Sequence, residues 1–92
     1  MILDIHHRLA HIMAHPTPES LHDLIAAGLT CTHLEVQGDG RHFFATIVSP
    51  AFAGLSRIAR HRLVYAALGE GMRAEIHALS MRTLAPDEPL AQ

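Results

Sequence analysis

The residues best suited to chemistry in this sequence are arginines and histidines in the second half of the chain. Arg57, Arg60 and Arg62 crowd the start of a predicted helix, and His77 lies at the start of the last predicted strand. Guanidinium groups bind carboxylates and phosphates, and imidazole nitrogens bind transition metals. The second half of the chain therefore offers an anion-binding surface and a metal ligand. The competing interpretation is a solvated helix face and a structural histidine, which such patterns more often represent.

A second group of histidines lies near the N-terminus, where His7, His11 and His15 are spaced four residues apart. Residues 1–16 are predicted to form an N-terminal extension with a short amphipathic helix. In a helix, rings at i and i+4 project from one face and can chelate a divalent cation. No carboxylate or cysteine completes the coordination shell, so solvated histidines are the favoured interpretation.

The composition limits the classes of function. The chain has 92 residues, of which 49% are hydrophobic and 17% charged, as expected of one folded domain. All seven basic residues are arginine and the formal net charge is −2, which argues against strong non-specific binding of nucleic acid. No paired carboxylates, activated nucleophile or dinucleotide-binding glycine motif indicates an enzyme. The single Cys31 and the absence of a signal-peptide pattern predict a cytoplasmic protein.

The elements that position these residues follow from hydrophobic periodicity and turn signals. The prediction is a helix over 18–27, strands over 31–37 and 42–49, a helix over 57–69 and a strand over 76–83. Strand 42–49 is apolar on both faces, so we expect it to be central and covered on both sides. The second helix is expected to bury Ala59, Leu63, Ala66 and Ala67. This order predicts an α+β fold with a three-stranded mixed sheet and helices on one face.

Two sequence segments carry a resemblance to a known family. The chain closely resembles the BolA-like proteins in the segment SPAFAGLSRIARHRLVYAAL and in the later segment EIHALSMRTLAP. These segments contain a Phe-x-Gly turn, an Arg-His-Arg-x-x-Tyr helix and a strand beginning Ile-His-Ala-Leu. The match covers about residues 17–88 and leaves 89–92 as a tail. The short GDGRHF hairpin is similar to the acid-stress branch of the family. Where the family usually has Glu-Trp, this chain has Glu88-Pro89. The resemblance implies a fold like the class II K-homology (KH) domain.

The resemblance also implies a partner and a cofactor. BolA-like proteins pair with monothiol glutaredoxins and share a [2Fe–2S] cluster held by the glutaredoxin cysteine, glutathione and histidine. The histidine of the Ile-His-Ala-Leu motif carries over to His77. A second ligand comes from the region of the hairpin, where His42 is the nearest match and His33 a poorer one, while Cys31 fits a buried small residue better. A shared site requires His42 and His77 within about 10 Å, because metal–nitrogen bonds are only ~2 Å long.

Two functions are therefore compared. The first is an adaptor in iron–sulfur and iron homeostasis and the stress response, which shares a cluster with its partner and forms a homodimer in its absence. The alternative is a transcriptional regulator that binds nucleic acid through the KH-like fold. KH domains clamp the backbone with a Gly-x-x-Gly loop, but here the turn is Gly54-Leu55-Ser56-Arg57, without the second glycine. Phosphate contacts would then come from Arg57, Arg60 and Arg62.

Overall fold

The computed structural model describes residues 16–89, so the predictions about His7, His11 and His15 lie outside the described residues. The elements are α1 (Pro18–Gly28), β1 (His33–Gly38), β2 (His42–Val48), a 3-10 turn (Pro50–Phe52), α2 (Arg57–Leu68), α3 (Glu70–Glu75) and β3 (Ala78–Leu84). The sheet order is β1-β2-β3, with β1 antiparallel and β3 parallel to β2. The predicted α+β fold and the central position of β2 are confirmed. Within residues 16–89, no helix is long and apolar enough to span a membrane.

Both long helices begin where the sequence predicts. The Thr17 hydroxyl accepts the N–H of Ser20 at 3.0 Å, and the Ser20 hydroxyl accepts the N–H of Thr17 at 2.9 Å. These reciprocal bonds satisfy two donors that the first turn of α1 would otherwise leave unpaired. In α2, the Ser56 hydroxyl accepts the N–H of Ala59 at 3.2 Å. The caps fix the first turns of both helices.

The core lies between the two long helices and one face of the sheet. Its fully or almost fully buried members are Leu21, Ile25, Phe43, Ala45, Ile47, Phe52, Val64 and Leu68. The strand residues alternate along β2, so they project from a single face, and both helices therefore cover that face. Phe44 projects from the other face and is 49% exposed. The prediction that β2 is covered on both sides is wrong at this position, because both helices pack on the same side.

The buried face of α2 also differs from the prediction. Val64 and Leu68 are buried, whereas Leu63 is 36% exposed and Ala66 is exposed. The second half of α2 is apolar around most of its circumference, so periodicity does not select one face. Packing selects it instead. α1 reaches α2 so closely that a Cβ built on Gly28 would lie 2.8 Å from Ala67 Cβ.

Residues 70–75 form a short helix, α3, in a stretch for which the sequence predicts neither helix nor strand. Gly69 has φ of +84°, a conformation that glycine adopts without strain, and it separates α2 from α3. The guanidinium of Arg73 lies 4.4 Å from the centroid of the Tyr65 ring, a cation–π contact that ties α3 to α2. β3 consequently begins at Ala78, two residues later than predicted.

Candidate functional site

His42 and His77 meet at one end of the sheet because β2 and β3 are parallel. His42 is the first residue of β2 and pairs with Ala78, the first residue of β3, so His77 lies directly before that strand. The N–H of Ala78 donates to the carbonyl of Arg41 at 3.1 Å and joins the two strand starts. The ring centroids of His42 and His77 are 5.4 Å apart and the rings are nearly perpendicular, at 80°. This separation is well within the limit of about 10 Å for a shared metal.

As a candidate metal site, the histidine pair is open and incomplete. His77 is exposed, and the side chain of His42 is 66% exposed. In the part of the chain that the structure describes, no group of three or more histidine, cysteine or acidic residues is arranged to hold a metal ion. Two imidazoles at an edge can occupy only part of a coordination shell, and two histidines do ligate one iron of Rieske [2Fe–2S] centres. The donor set would therefore fit one side of a cluster if the remaining ligands came from another molecule.

The turn before β2 fixes the backbone of His42. Asp39 Oδ1 accepts the N–H of Arg41 at 2.9 Å and that of His42 at 2.8 Å. Gly40 has φ of +99°, which the turn requires and which glycine allows. The hydrogen bond from the His42 N–H, followed by that from Arg41, lowers the pKa of Asp39. In the sequence, Asp39 is typical of a hairpin turn, and its position three residues before His42 is the signal that connects it to the site.

The alternative ligand, His33, lies at the other end of the sheet. His33 pairs with Val48, six residues along β2 from His42, which corresponds to about 20 Å at ~3.3 Å per residue. Its Nε2 lies 3.5 Å from Glu35 Oε2. The Cys31 thiol donates to the carbonyl of Leu29 at 3.4 Å, and burial raises the pKa of that thiol. The geometry thus favours His42 over His33 as the companion of His77.

Arg60 is not available as part of an anion-binding surface, which corrects its predicted role. Its side chain is only 12% exposed. Nε donates to the carbonyl of Leu55 at 2.9 Å, and Nη1 donates to the carbonyl of Thr83 at 2.9 Å. The two terminal nitrogens also donate to the Glu88 carboxylate, at 2.8 Å and 3.1 Å. Four of its five N–H groups are therefore used inside the protein.

The Arg60 contact anchors the segment after β3. Glu88 Oε1 also accepts the N–H of Ala85 at 2.8 Å. The hydrogen bond from Arg60, followed by that from Ala85, lowers the pKa of Glu88 to about 2. The same pairing raises the pKa of Arg60. Glu88 is thus held in place although the tryptophan usual after it in the family is Pro89 here.

The remaining cationic surface on α2 consists of Arg57 and Arg62. Both residues are exposed, and neither has an acidic partner among residues 16–89. Arg62 also lines a groove of about 390 Å³ with Tyr65 and Arg73 on one side of α2 and α3. The predicted surface is therefore reduced from three arginines to two.

The fold and the site define a small α+β domain that presents two histidines where two parallel strands begin. Comparison with known proteins agrees with this description. Residues 26–88 match the sequence model described as BolA-like protein. The chain belongs to the BolA-like protein family. Proteins of this family are regulators or adaptors rather than enzymes, and no catalytic family is indicated.

Individual relatives support the same family and fold. The chain is 43% identical over 54 residues to BolA-like protein 1 of Homo sapiens, an alignment covering 59% of this chain and 39% of that protein. It is 43% identical over 56 residues to the DNA-binding transcriptional regulator BolA of Vibrio cholerae, covering 61% and 53%. The chain thus spans about half, or less, of these curated relatives. The structure of a BolA homologue from Coxiella burnetii is similar with a TM-score of 0.68 and 42% identity, covering 78% of this chain and 94% of the other.

Proposed function

We propose that this protein is an adaptor that pairs with a monothiol glutaredoxin and shares a [2Fe–2S] cluster, in iron–sulfur homeostasis and the stress response of the cytoplasm. The observation that supports the proposal is the convergence of His42 and His77, with ring centroids 5.4 Å apart at an exposed end of the sheet. Because residues 16–89 add no third ligand to this pair, a partner would have to supply the rest of the coordination shell. A glutaredoxin cysteine and glutathione would supply them.

The residues of this chain would have two tasks in such a complex. His42 and His77 would hold iron from one side, and neutral imidazole in place of thiolate reduces the negative charge at the irons. When bound, the cluster supplies one-electron redox chemistry at a potential that histidine ligation raises. Arg57 and Arg62 would attract an acidic partner surface and speed association rather than provide most of the affinity.

Visible absorption of a reconstituted complex tests the proposal. The chain is co-purified with a monothiol glutaredoxin and glutathione, and the spectrum is compared with that of glutaredoxin and glutathione alone. We expect His77→Ala and His42→Ala to change the spectrum, because each removes a ligand. His33→Ala is the matched control and should leave it unchanged, since His33 lies at the other end of the sheet. An unchanged spectrum in His77→Ala would refute the ligand assignment.

Binding of DNA is the second candidate function, and the name of the Vibrio cholerae relative is the observation that favours it. In this chain the available phosphate contacts are Arg57 and Arg62, because the Arg60 guanidinium is already paired. With two phosphate contacts, the logarithm of the binding constant should fall against the logarithm of the salt concentration with a slope of about −1.8. Raising the salt concentration from ~50 mM to ~200 mM should therefore weaken binding by about tenfold.

A mobility-shift assay at the two salt concentrations tests this alternative. Arg57→Gln and Arg62→Gln should each weaken binding and reduce the salt slope by about one unit. His33→Ala serves as a control that keeps the arginines. The absence of binding at the lower salt concentration would eliminate DNA as a direct ligand.

A further inference from the structure

We propose that Asp39 is a positioning residue that orients His42 for metal binding by keeping the ring hydrogen on Nδ1 and the lone pair on Nε2. The inference rests on the proposed function, because it assigns the ligand atom of a residue in the same site. Asp39 itself does not touch the metal in this proposal. Its effect passes through the imidazole of His42.

The carboxylate of Asp39 is fixed by the backbone that carries His42. Oδ1 accepts the N–H groups of Arg41 and His42 at 2.9 Å and 2.8 Å, and the N–H of Asp39 donates to the carbonyl of His42 at 3.2 Å. These bonds leave the other oxygen, Oδ2, on the side of the imidazole. Oδ2 lies 3.8 Å from His42 Nδ1, close enough for an electrostatic interaction but longer than a hydrogen bond. The carboxylate and the ring therefore face each other without any change in the turn.

The charge of the carboxylate favours one tautomer of the His42 ring. An ionised carboxylate only accepts hydrogen bonds, so the ring nitrogen that faces it is favoured as the one bearing hydrogen. An aspartate carboxyl has a usual pKa of ~3.9, so Asp39 is ionised at neutral pH. A hydrogen on Nδ1 leaves the lone pair of neutral His42 on Nε2. In other proteins, metal-binding histidines commonly donate their second N–H to a carboxylate.

Other histidine–carboxylate pairs in the described residues show what is particular about Asp39. His22 Nδ1 lies 3.2 Å from Asp23 Oδ1, and His33 Nε2 lies 3.5 Å from Glu35 Oε2. Neither pair includes a second histidine ring in contact. His42 alone among these three histidines has another imidazole against it, that of His77. Asp39 is thus the carboxylate that faces a candidate ligand.

The test uses two variants of matched size. Asp39→Asn keeps an oxygen that accepts the two backbone N–H groups, so the turn should be retained. Its amide nitrogen replaces Oδ2 with a donor, which favours a lone pair on Nδ1 of His42 and reverses the tautomer. Glu35→Gln makes the same change beside His33. The chain without metal is labelled with 15N-histidine, and two-dimensional NMR at about pH 8.5, above the usual histidine pKa of ~6.5, reports the hydrogen on each ring nitrogen.

We expect His42 to be mainly Nδ1–H in the wild type and to shift to Nε2–H in Asp39→Asn, whereas Glu35→Gln affects only His33. In the complex with glutaredoxin and glutathione, Asp39→Asn should shorten the cluster lifetime by about tenfold. This is the low end of the roughly 10–100-fold loss of metal affinity that follows removal of a group supporting a metal ligand. An unchanged His42 tautomer in Asp39→Asn would overturn the proposal. So would an unchanged cluster lifetime in Asp39→Asn when His42→Ala destroys the cluster. If His42→Ala leaves the cluster intact, the ligand assignment under the proposed function fails instead, while the tautomer measured by NMR still tests the effect of Asp39 on His42.

Discussion

Gly38, at the end of β1, is predicted to be a position where a single methyl group damages the turn that carries His42. Gly38 pairs with Phe43 across the hairpin. A Cβ built there would lie 2.5 Å from Phe43 Cδ1, 2.6 Å from the carbonyl oxygen of His42 and 3.1 Å from Phe43 Cα. Phe43 is almost completely buried, so its ring cannot move aside freely. Gly38→Ala must therefore displace the backbone at His42.

The magnitude follows from two opposing effects. Overpacking costs ~1–3 kcal/mol, and Gly38 belongs at the upper end because two of the three contacts are with backbone atoms. Replacement of glycine by alanine also restricts the unfolded chain, which returns ~0.4–1 kcal/mol. The net loss in free energy of unfolding is about 2 kcal/mol. For a domain of this size it lowers the melting temperature by roughly 8–16 °C.

Gly71→Ala is the matched control, because the same substitution in α3 meets nothing within 4 Å. It should stabilise the protein by ~0.5–1 kcal/mol, the difference in helix propensity between glycine and alanine. Urea denaturation of both variants measures the two changes, and NMR of the His42 ring reports whether its environment moves. A Gly38→Ala variant as stable as the wild type would refute the packing described for the hairpin. Equal effects of the two substitutions would refute it as well.

Three further predictions concern the core and the segment after β3. Glu88→Gln should lower the free energy of unfolding above about pH 4.5, because in the folded protein the pKa of Glu88 is lowered from 4.5 to about 2. The difference from wild type should disappear as the pH falls toward 2, and urea denaturation across that range measures it. Ser49→Ala should lower the free energy of unfolding by ~1–3 kcal/mol in chemical denaturation. The buried hydroxyl donates to the carbonyl of Thr30 at 2.5 Å and accepts the N–H of Ala51 at 3.1 Å. A loss below ~0.5 kcal/mol would contradict these hydrogen bonds. Phe52→Ala should cost ~3–5 kcal/mol by the same measurement, as its ring is fully buried in the core, whereas a cost of ~1 kcal/mol would show that the site collapses around the smaller side chain.

Local sequence signals were sufficient for most of the fold. Thr17 and Ser56 mark the starts of α1 and α2 because a cap depends on residues within one turn. Asp39 and Gly40 mark the hairpin for a similar reason. The helix between β2 and β3 allows β3 to join the sheet parallel to a neighbouring strand, and the structure shows that this neighbour is β2. The sequence alone leaves open whether His42 and His77 meet, and the parallel register brings them together.

The errors concern features that depend on distant residues. Arg60 is paired with Glu88, 28 residues away, and no local pattern distinguishes it from Arg57 or Arg62. The buried face of α2 depends on how closely Gly28 lets α1 approach, which the apolar second half of α2 does not reveal. α3 follows Gly69 and contains Gly71, and glycines usually end helices, so local patterns do not predict it; its contact with Tyr65 is tertiary.

The central claim is that His77 of this chain binds iron in a shared cluster, and pulsed electron paramagnetic resonance tests it most directly. The chain is labelled with 15N-histidine, the glutaredoxin partner is left unlabelled, and the cluster of the complex is reduced by one electron. We predict a strong 15N coupling from histidine that is weakened or lost in His77→Ala and retained in His33→Ala. A reduced cluster that shows no coupling to 15N, or the same coupling in His77→Ala, would contradict the assignment.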